Sequence, residues 1–132
     1  MAKILICEDD LLYRQIAEVA FAGTEHELVF VEDGVAALTQ LQGQHIDLLI
    51  TDLVMPNKDG LEVIQEFRRS GTSIPILVMS GGMASLKTSL FAAASALGAS
   101  DALPKPFRPQ VLRERAEALL GDAKARHANQ AT

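Results

Sequence analysis

Residues 3–23 read KILICEDDLLYRQIAEVAFAG. The first five, KILIC, place apolar side chains on both alternating faces, the pattern of a central parallel strand covered on each side. Three acids follow, and then apolar residues at Leu12, Ile16, Val19 and Ala20 predict a helix over 11–22, which Gly23 can end. That unit of strand, polar turn and helix recurs along the chain. Strands are predicted at 27–31 (ELVFV), 46–51 (IDLLIT, ending at Asp52), 74–79 and 101–103, and helices at 34–42, 61–69, 84–97 and 109–120. Asp33 is placed to cap the second helix, with Leu38 and Leu41 facing inward, and Pro109 suits the first turn of the last. Residues 55–60, MPNKDG, carry dense turn chemistry, and Ser80-Gly81-Gly82 reads as a loop. Strand alternating with helix is the signature of a parallel α/β sheet wrapped by helices. Pro104 lacks an amide donor, which suits the fifth strand only to a sheet edge.

The chain has 132 residues, enough for one core. No apolar run approaches the roughly 20 residues that span a bilayer, so membrane insertion is not expected. Its 48% hydrophobic and 22% charged residues fit a folded protein. A net charge of −5, with lysines and arginines scattered, argues against a surface that binds nucleic acid directly. The single cysteine excludes an intrachain disulfide and a thiolate zinc cage. Met1-Ala2-Lys3 runs straight into the first strand with no secretory apolar region, so a cytoplasmic location is expected. One domain is expected over 1–120, and 121–132, small and polar, is expected to be a disordered tail.

In open α/β sheets the ligand site lies beyond the carboxyl ends of the strands, near the point where strand order reverses. There this sequence places Glu8, Asp9 and Asp10 after strand one, Asp52 after strand three, Ser80 after strand four and Lys105 after strand five. Two carboxylates about 4 Å apart repel by roughly 4 kcal/mol at an effective dielectric near 20, so such a cluster calls for a cation. Oxygen ligands with no histidine or further cysteine nearby favour Mg2+, which takes one or two carboxylates together with phosphate oxygens. Asp10, just past the acid pair, is most simply a solvated loop residue or a helix cap.

The segments ILICEDD (4–10), TDLVMPNKDG (51–60), PILVMSG (75–81) and LPKPF (103–107), in that order and spacing, resemble the receiver domain of two-component response regulators, of the single-domain chemotaxis type. The resemblance covers about residues 2–120. It implies a five-stranded doubly wound sheet of order 2-1-3-4-5, the flavodoxin-like arrangement, with five helices. It implies that Asp52 is the phosphoacceptor, taking a phosphoryl group from a histidine kinase or a histidine phosphotransfer protein. Asp9 would be a direct Mg2+ ligand, Glu8 the acid beside it, and the carbonyl of Val54 a backbone ligand, with Asp52 completing the set. Ser80 and Lys105 would each engage a phosphoryl oxygen, and the Lys105-Pro106 bond is one that the family often holds in cis.

Three positions depart from the family. Ala102 stands where a Tyr or Phe commonly reports phosphorylation by turning inward, and a methyl group has no rotamer to switch. The expected substitute is repositioning of the Gly81-Gly82 loop and the start of helix four. Ser80 replaces the commoner Thr, and Glu8 replaces Asp. From 81 to 100 the only charged residue is Lys87, so the outer face of helix four, with strand five beside it, is expected to be either a plain alanine-rich surface or a docking or self-association surface. His26, His45 and His127 share no metal-ligand spacing and are expected at the surface. Cys7 is expected to be a buried small hydrophobe. Tyr13 and Arg14 are expected either to pack locally or to meet the phosphodonor protein. The alternatives are a phosphorylation-independent interaction module and an Mg2+-dependent phosphohydrolase, which lacks its second acid because Val54 stands two residues after Asp52. If nothing follows this stretch in the natural protein, the signal must pass by protein contact or onward phosphotransfer.

Overall fold

The structure is a computed structural model, described over residues 1–55, 59–81 and 84–130, with backbone alone at 84–87 and 127–130. Strands β1 (Lys3–Cys7), β2 (Glu27–Val31), β3 (Leu48–Asp52), β4 (Ile76–Ser80) and β5 (Asp101–Pro104) alternate with helices α1 (Leu11–Ala20), α2 (Gly34–Gly43), α3 (Gly60–Arg69), α4 (Ala84–Leu97) and α5 (Pro109–Gln130). All pairings are parallel, in the order β2-β1-β3-β4-β5, the doubly wound, flavodoxin-like arrangement. The register sets Cys7 opposite Thr51, Asp52 opposite Met79 and Ser80 opposite Pro104, so four strands deliver their last residues to one rim.

Alternation along each strand divides the core between two faces. Ile4, Ile6, Leu48, Ile50, Leu77, Met79 and Leu103 pack with Ala17, Ala20, Leu112 and Ala116 of α1 and α5. Leu5, Cys7, Leu49, Ile76 and Val78 pack with Ala37 of α2, Val63, Ile64 and Phe67 of α3, and Ala94 of α4. Each large side chain buried this way contributes roughly 1.5–3 kcal/mol of transfer free energy, which is why the sheet holds its strand ends in a fixed register.

The strands shift from their predicted bounds at positions with a local cause. Pro75 has no amide to donate, so β4 starts at Ile76, whose N–H donates to the Ser100 hydroxyl oxygen at 3.0 Å. Asp33 caps α2 as predicted, its carboxylate accepting from Ala36 N at 2.9 Å, and Leu38 and Leu41 are half-buried against the core. In α1 the buried residues are Ala17 and Ala20, while Leu12 and Val19, members of the same apolar period, are 58% and 64% exposed. The alanines face the core cluster and α5, and the larger apolar residues Leu12 and Val19 fall outside it.

The tail expectation fails. Helix α5 continues through Gly121 to Gln130, and residues 131–132 lie outside the described residues. One glycine inside a helix costs about 1 kcal/mol, and Ala123, Lys124, Ala125 and Arg126 after it are all strong helix formers, so propagation outlasts the interruption. His26, expected at the surface, has a side chain only 13% exposed. Its Nδ1 accepts from Ala2 N at 3.0 Å, which puts the ring proton on Nε2, where Glu117 of α5 receives it at 2.5 Å. His45 stands exposed beside Asp47, and the side chain of His127 lies outside the described residues.

A side chain also fastens the end of α4. Arg68 donates to the Gly98 carbonyl from Nε (3.2 Å) and Nη2 (2.8 Å), and from Nη1 to Ile74 O (2.7 Å) and Thr72 O (3.1 Å). Gly98 turns the chain at φ +118°, and a Cβ there would come within 2.9 Å of Arg68 Nε. The guanidinium thus ties the turn that follows α4 to the segment between α3 and β4.

Candidate functional site

At the rim, Glu8 follows β1, and its backbone N–H bonds to Val31 O at 3.0 Å, extending the ladder past the last strand residue. Of the two roles open to it in the sequence, Asp10 takes that of the α1 cap, accepting from Leu12 N at 2.9 Å, and its own N–H donates to Glu8 Oε1 at 3.2 Å. Glu8 is 1% exposed and Asp52 7%, whereas Asp9 is exposed. One carboxylate oxygen from each of Glu8, Asp9 and Asp52 lies within 4.8 Å of the others. A set of oxygen donors, two buried and one open to water, fits a hard divalent cation that keeps part of its hydration shell.

Lys105 reaches into this cluster from the loop after β5, where its N–H is tied to Ser80 O at 2.8 Å. Its ammonium donates to both Glu8 oxygens at 3.1 Å and to Asp52 Oδ2 at 2.8 Å, with the side chain 10% exposed. The other Asp52 oxygen, Oδ1, accepts from Val54 N at 3.1 Å. Ser80 closes β4 with its hydroxyl buried and turned to its neighbour's carbonyl, Gly81 O, at 3.3 Å. The Lys105-Pro106 bond is cis.

The charges at this rim are unequal in their solvation. Burial, and then the charge of Asp52, push the Glu8 carboxyl up from 4.5 to about 7, even though Lys105 pulls the other way. Burial alone would lower the Lys105 ammonium, but the hydrogen bond and charge of Asp52, followed by Glu8, outweigh it and raise its pKa. The folded metal-free protein therefore binds a proton at Glu8 that the unfolded chain releases above pH 4.5. Stability from this group is complete below 4.5 and is lost as pH rises through about 7. Denaturant titrations in chelator from pH 5 to 8 should show wild type losing on the order of 2–3 kcal/mol that Glu8→Gln, neutral throughout, does not lose. Parallel pH profiles for the two proteins would refute it.

Cys7 is buried, and burial pushes its thiol up to about 12, so it is inert as a nucleophile. Its Sγ donates to Met55 Sδ at 3.1 Å, which draws the segment after Asp52 down over β1. Ala102 borders a hollow of about 250 Å3 lined by Val78, Phe91 and Ser95, the space that a ring at 102 would have met. On α4, Leu90, Phe91 and Leu97 pack on the core, and Ala92 and Ser95 are exposed. Pro56 and Gly82, along with the side chains of Leu86 and Lys87, lie outside the described residues.

Thus Glu8, Asp9, Asp52 and Lys105 meet as the sequence places them, Val54 joins through its N–H, and Ser80 stands next to Lys105 through the backbone. Two residues gain a place that spacing alone did not give them. Arg14 Nε donates to the Glu8 carbonyl at 2.8 Å, and the Tyr13 ring lies under the Lys105 ammonium, 4.0 Å from Nζ to centroid. Both sit one helical turn after the Asp10 cap, the signal that pointed back to the rim.

The sequence profile of the family described as the response regulator receiver domain matches residues 4–117. Response regulator MprA of Mycobacterium avium is 36% identical over 118 residues, covering 89% of this chain and 50% of MprA. The chain spans about half the length of the curated relatives it matches. Full-length FixJ from B. japonicum aligns with a TM-score of 0.85 at 26% identity, over 98% of this chain and 63% of FixJ. The receiver domain of Francisella response regulator 1452 aligns at 0.79 and 23% identity, over 93% and 99%, a likeness of fold. No helix among the described residues is long and apolar enough to cross a membrane.

Proposed function

Because the chain belongs to the response regulator receiver domain family of two-component signalling, we propose that it accepts a phosphoryl group on Asp52 from a phosphohistidine of a histidine kinase or a histidine phosphotransfer protein. The observation that carries this is Asp52 itself: a buried carboxylate held at 2.8 Å by Lys105 Nζ, with Glu8 and Asp9 oxygens within 4.8 Å. Glu8, Asp9, Asp52 and the Val54 carbonyl are the residues to hold Mg2+. When bound, the cation neutralises the charge that gathers on the transferring phosphoryl oxygens.

A carboxylate oxygen of Asp52 attacks phosphorus in line as the P–N bond of the donor breaks, and the departing imidazole retains the electron pair and takes up a proton. Val54 N and Lys105 Nζ fix the two oxygens of Asp52 and so its orientation. The Lys105 ammonium then has a phosphoryl oxygen to pair with, and the Ser80 hydroxyl can leave Gly81 O, a 3.3 Å partner, for another. Output is by protein contact or onward transfer in the cytoplasm, with α4 and β5 as the contacting face. The phosphohydrolase alternative has no general acid at Val54, and the phosphorylation-independent alternative leaves this buried charge arrangement without a use.

The test is intact-mass spectrometry after incubation with a small-molecule phosphodonor such as phosphoramidate. The expected result is gain of one phosphoryl group, mapped to Asp52, in Mg2+ and none in chelator. Gain elsewhere, or none in Mg2+ with the protein folded, would overturn the assignment.

A further inference from the structure

Four directions around Lys105 Nζ are occupied. Two lead to the Glu8 oxygens at 3.1 Å and one to Asp52 Oδ2 at 2.8 Å; the fourth leads to the face of Tyr13 at 4.0 Å. A ring face at that distance attracts an ammonium, and more strongly where water is excluded. Lys105 is such a place, with its side chain 10% exposed. The ring is itself held: Phe107, two residues after the lysine, packs on it with centroids 5.3 Å apart and planes at 54°. Tyr13 is therefore wedged between Lys105 and Phe107 of one loop, and it stands on α1, whose next residue, Arg14, is bonded to the Glu8 carbonyl at 2.8 Å.

We propose that Tyr13 is a positioning residue for Lys105 and the aromatic that senses its engagement, in place of the ring that Ala102 does not supply. The inference rests on the receiver reading given above. A lysine stem of four methylenes has many rotamers, and two carboxylates sharing one ammonium do not by themselves fix its line toward Asp52. The ring limits that freedom to an arc over its own face, aimed at Asp52. When an Asp52 oxygen becomes part of an acyl phosphate, Lys105 exchanges it for a phosphoryl oxygen, and its ammonium moves relative to Tyr13. The displacement reaches α1 and Phe107 through a packed ring, whereas the methyl group at 102, set at the edge of the core beside a hollow, has no rotamer to change.

The chain has one tyrosine and no tryptophan, so its intrinsic emission belongs to Tyr13. Emission is followed as Mg2+ and beryllofluoride, a phosphoryl mimic, are added to wild type and to Asp52→Asn. Phosphoryl gain from phosphoramidate is timed by mass for wild type, Tyr13→Phe and Tyr13→Leu. Emission is expected to change in wild type alone. Tyr13→Phe, which keeps the ring face, should modify within about twofold of wild type, and Tyr13→Leu, which keeps apolar bulk without it, about tenfold more slowly. Unchanged emission in a protein whose mass shows modified Asp52, or equal rates for the Phe and Leu variants, would overturn the role of Tyr13 and leave the receiver reading standing. A wild type that gains no phosphoryl group overturns that reading, and the inference with it.

Discussion

Asp52→Asn is expected to gain no phosphoryl group under conditions that modify wild type completely, while remaining folded. The carboxamide is nearly isosteric, so Val54 N, which bonds Oδ1 at 3.1 Å, keeps an acceptor in place. What it lacks is the negative oxygen that attacks phosphorus, and no orientation of an amide restores it. Lys105 loses one partner at 2.8 Å and keeps two at 3.1 Å on Glu8, so its charge stays paired in its covered position. The stability of the variant should hold or rise, because the second pressure that lifts Glu8, after burial, is the charge on Asp52. Removing that charge makes ionised Glu8 less costly above pH 7. Loss of modification together with loss of the denaturation transition would mean that Asp52 serves the fold, and retained modification would place the acceptor elsewhere. Intact mass and a denaturant titration on the same sample distinguish these results.

How far the sequence carries such an argument depends on the range of the forces involved. Strand β1, α4 and the order of elements are legible because each depends on a repeating pattern of apolar residues, and Asp10 and Asp33 are legible as caps because a cap acts within three residues of itself. The meeting of Glu8, Asp52 and Lys105 follows from the sheet, since strands in parallel register end together. The errors lie where pattern and packing part. Leu12 and Val19 of α1 satisfy a helical period and are nonetheless exposed, since periodicity finds an apolar stripe but not which edge of it faces the sheet. Gly121 fits a helix stop, yet its surroundings leave open space where a Cβ would stand and α5 runs on. Tyr13 was visible only as a residue near the acids, because its partner is Lys105, ninety-two positions away, and a cation over a ring leaves no spacing in the sequence.

Gly60→Ala reverses the ordinary sign of such a change. Gly60 is the first residue of α3, behind the Asp59 cap, whose carboxylate accepts from Glu62 N at 2.9 Å. By propensity alone, alanine in a helix improves on glycine by up to about 1 kcal/mol. Here the added Cβ would lie 2.4 Å from Asp52 O and 2.7 Å from Leu53 Cα, both backbone atoms, and the Gly60 amide is already bonded to Leu53 O at 3.1 Å. Neither side can yield by rotating a side chain. Either α3 backs away and draws its own Phe67 out of the core, or the chain after Asp52 moves, and the second is the softer because it is a loop. The expected result is a loss of about 2–3 kcal/mol of stability. It is accompanied by phosphoryl gain slowed at least about tenfold, since an acceptor misplaced by even 1 Å loses its line of attack. Gly121→Ala is the matched control, with open space around its Cβ and a position inside α5, and it should stabilise by up to about 1 kcal/mol. Opposite signs in the two denaturation curves, with slowed modification only at 60, would mean that the backbone packing under Asp52 sets both stability and reactivity. Stabilisation of both variants would mean that the helix start has room the separations of 2.4 and 2.7 Å do not give it.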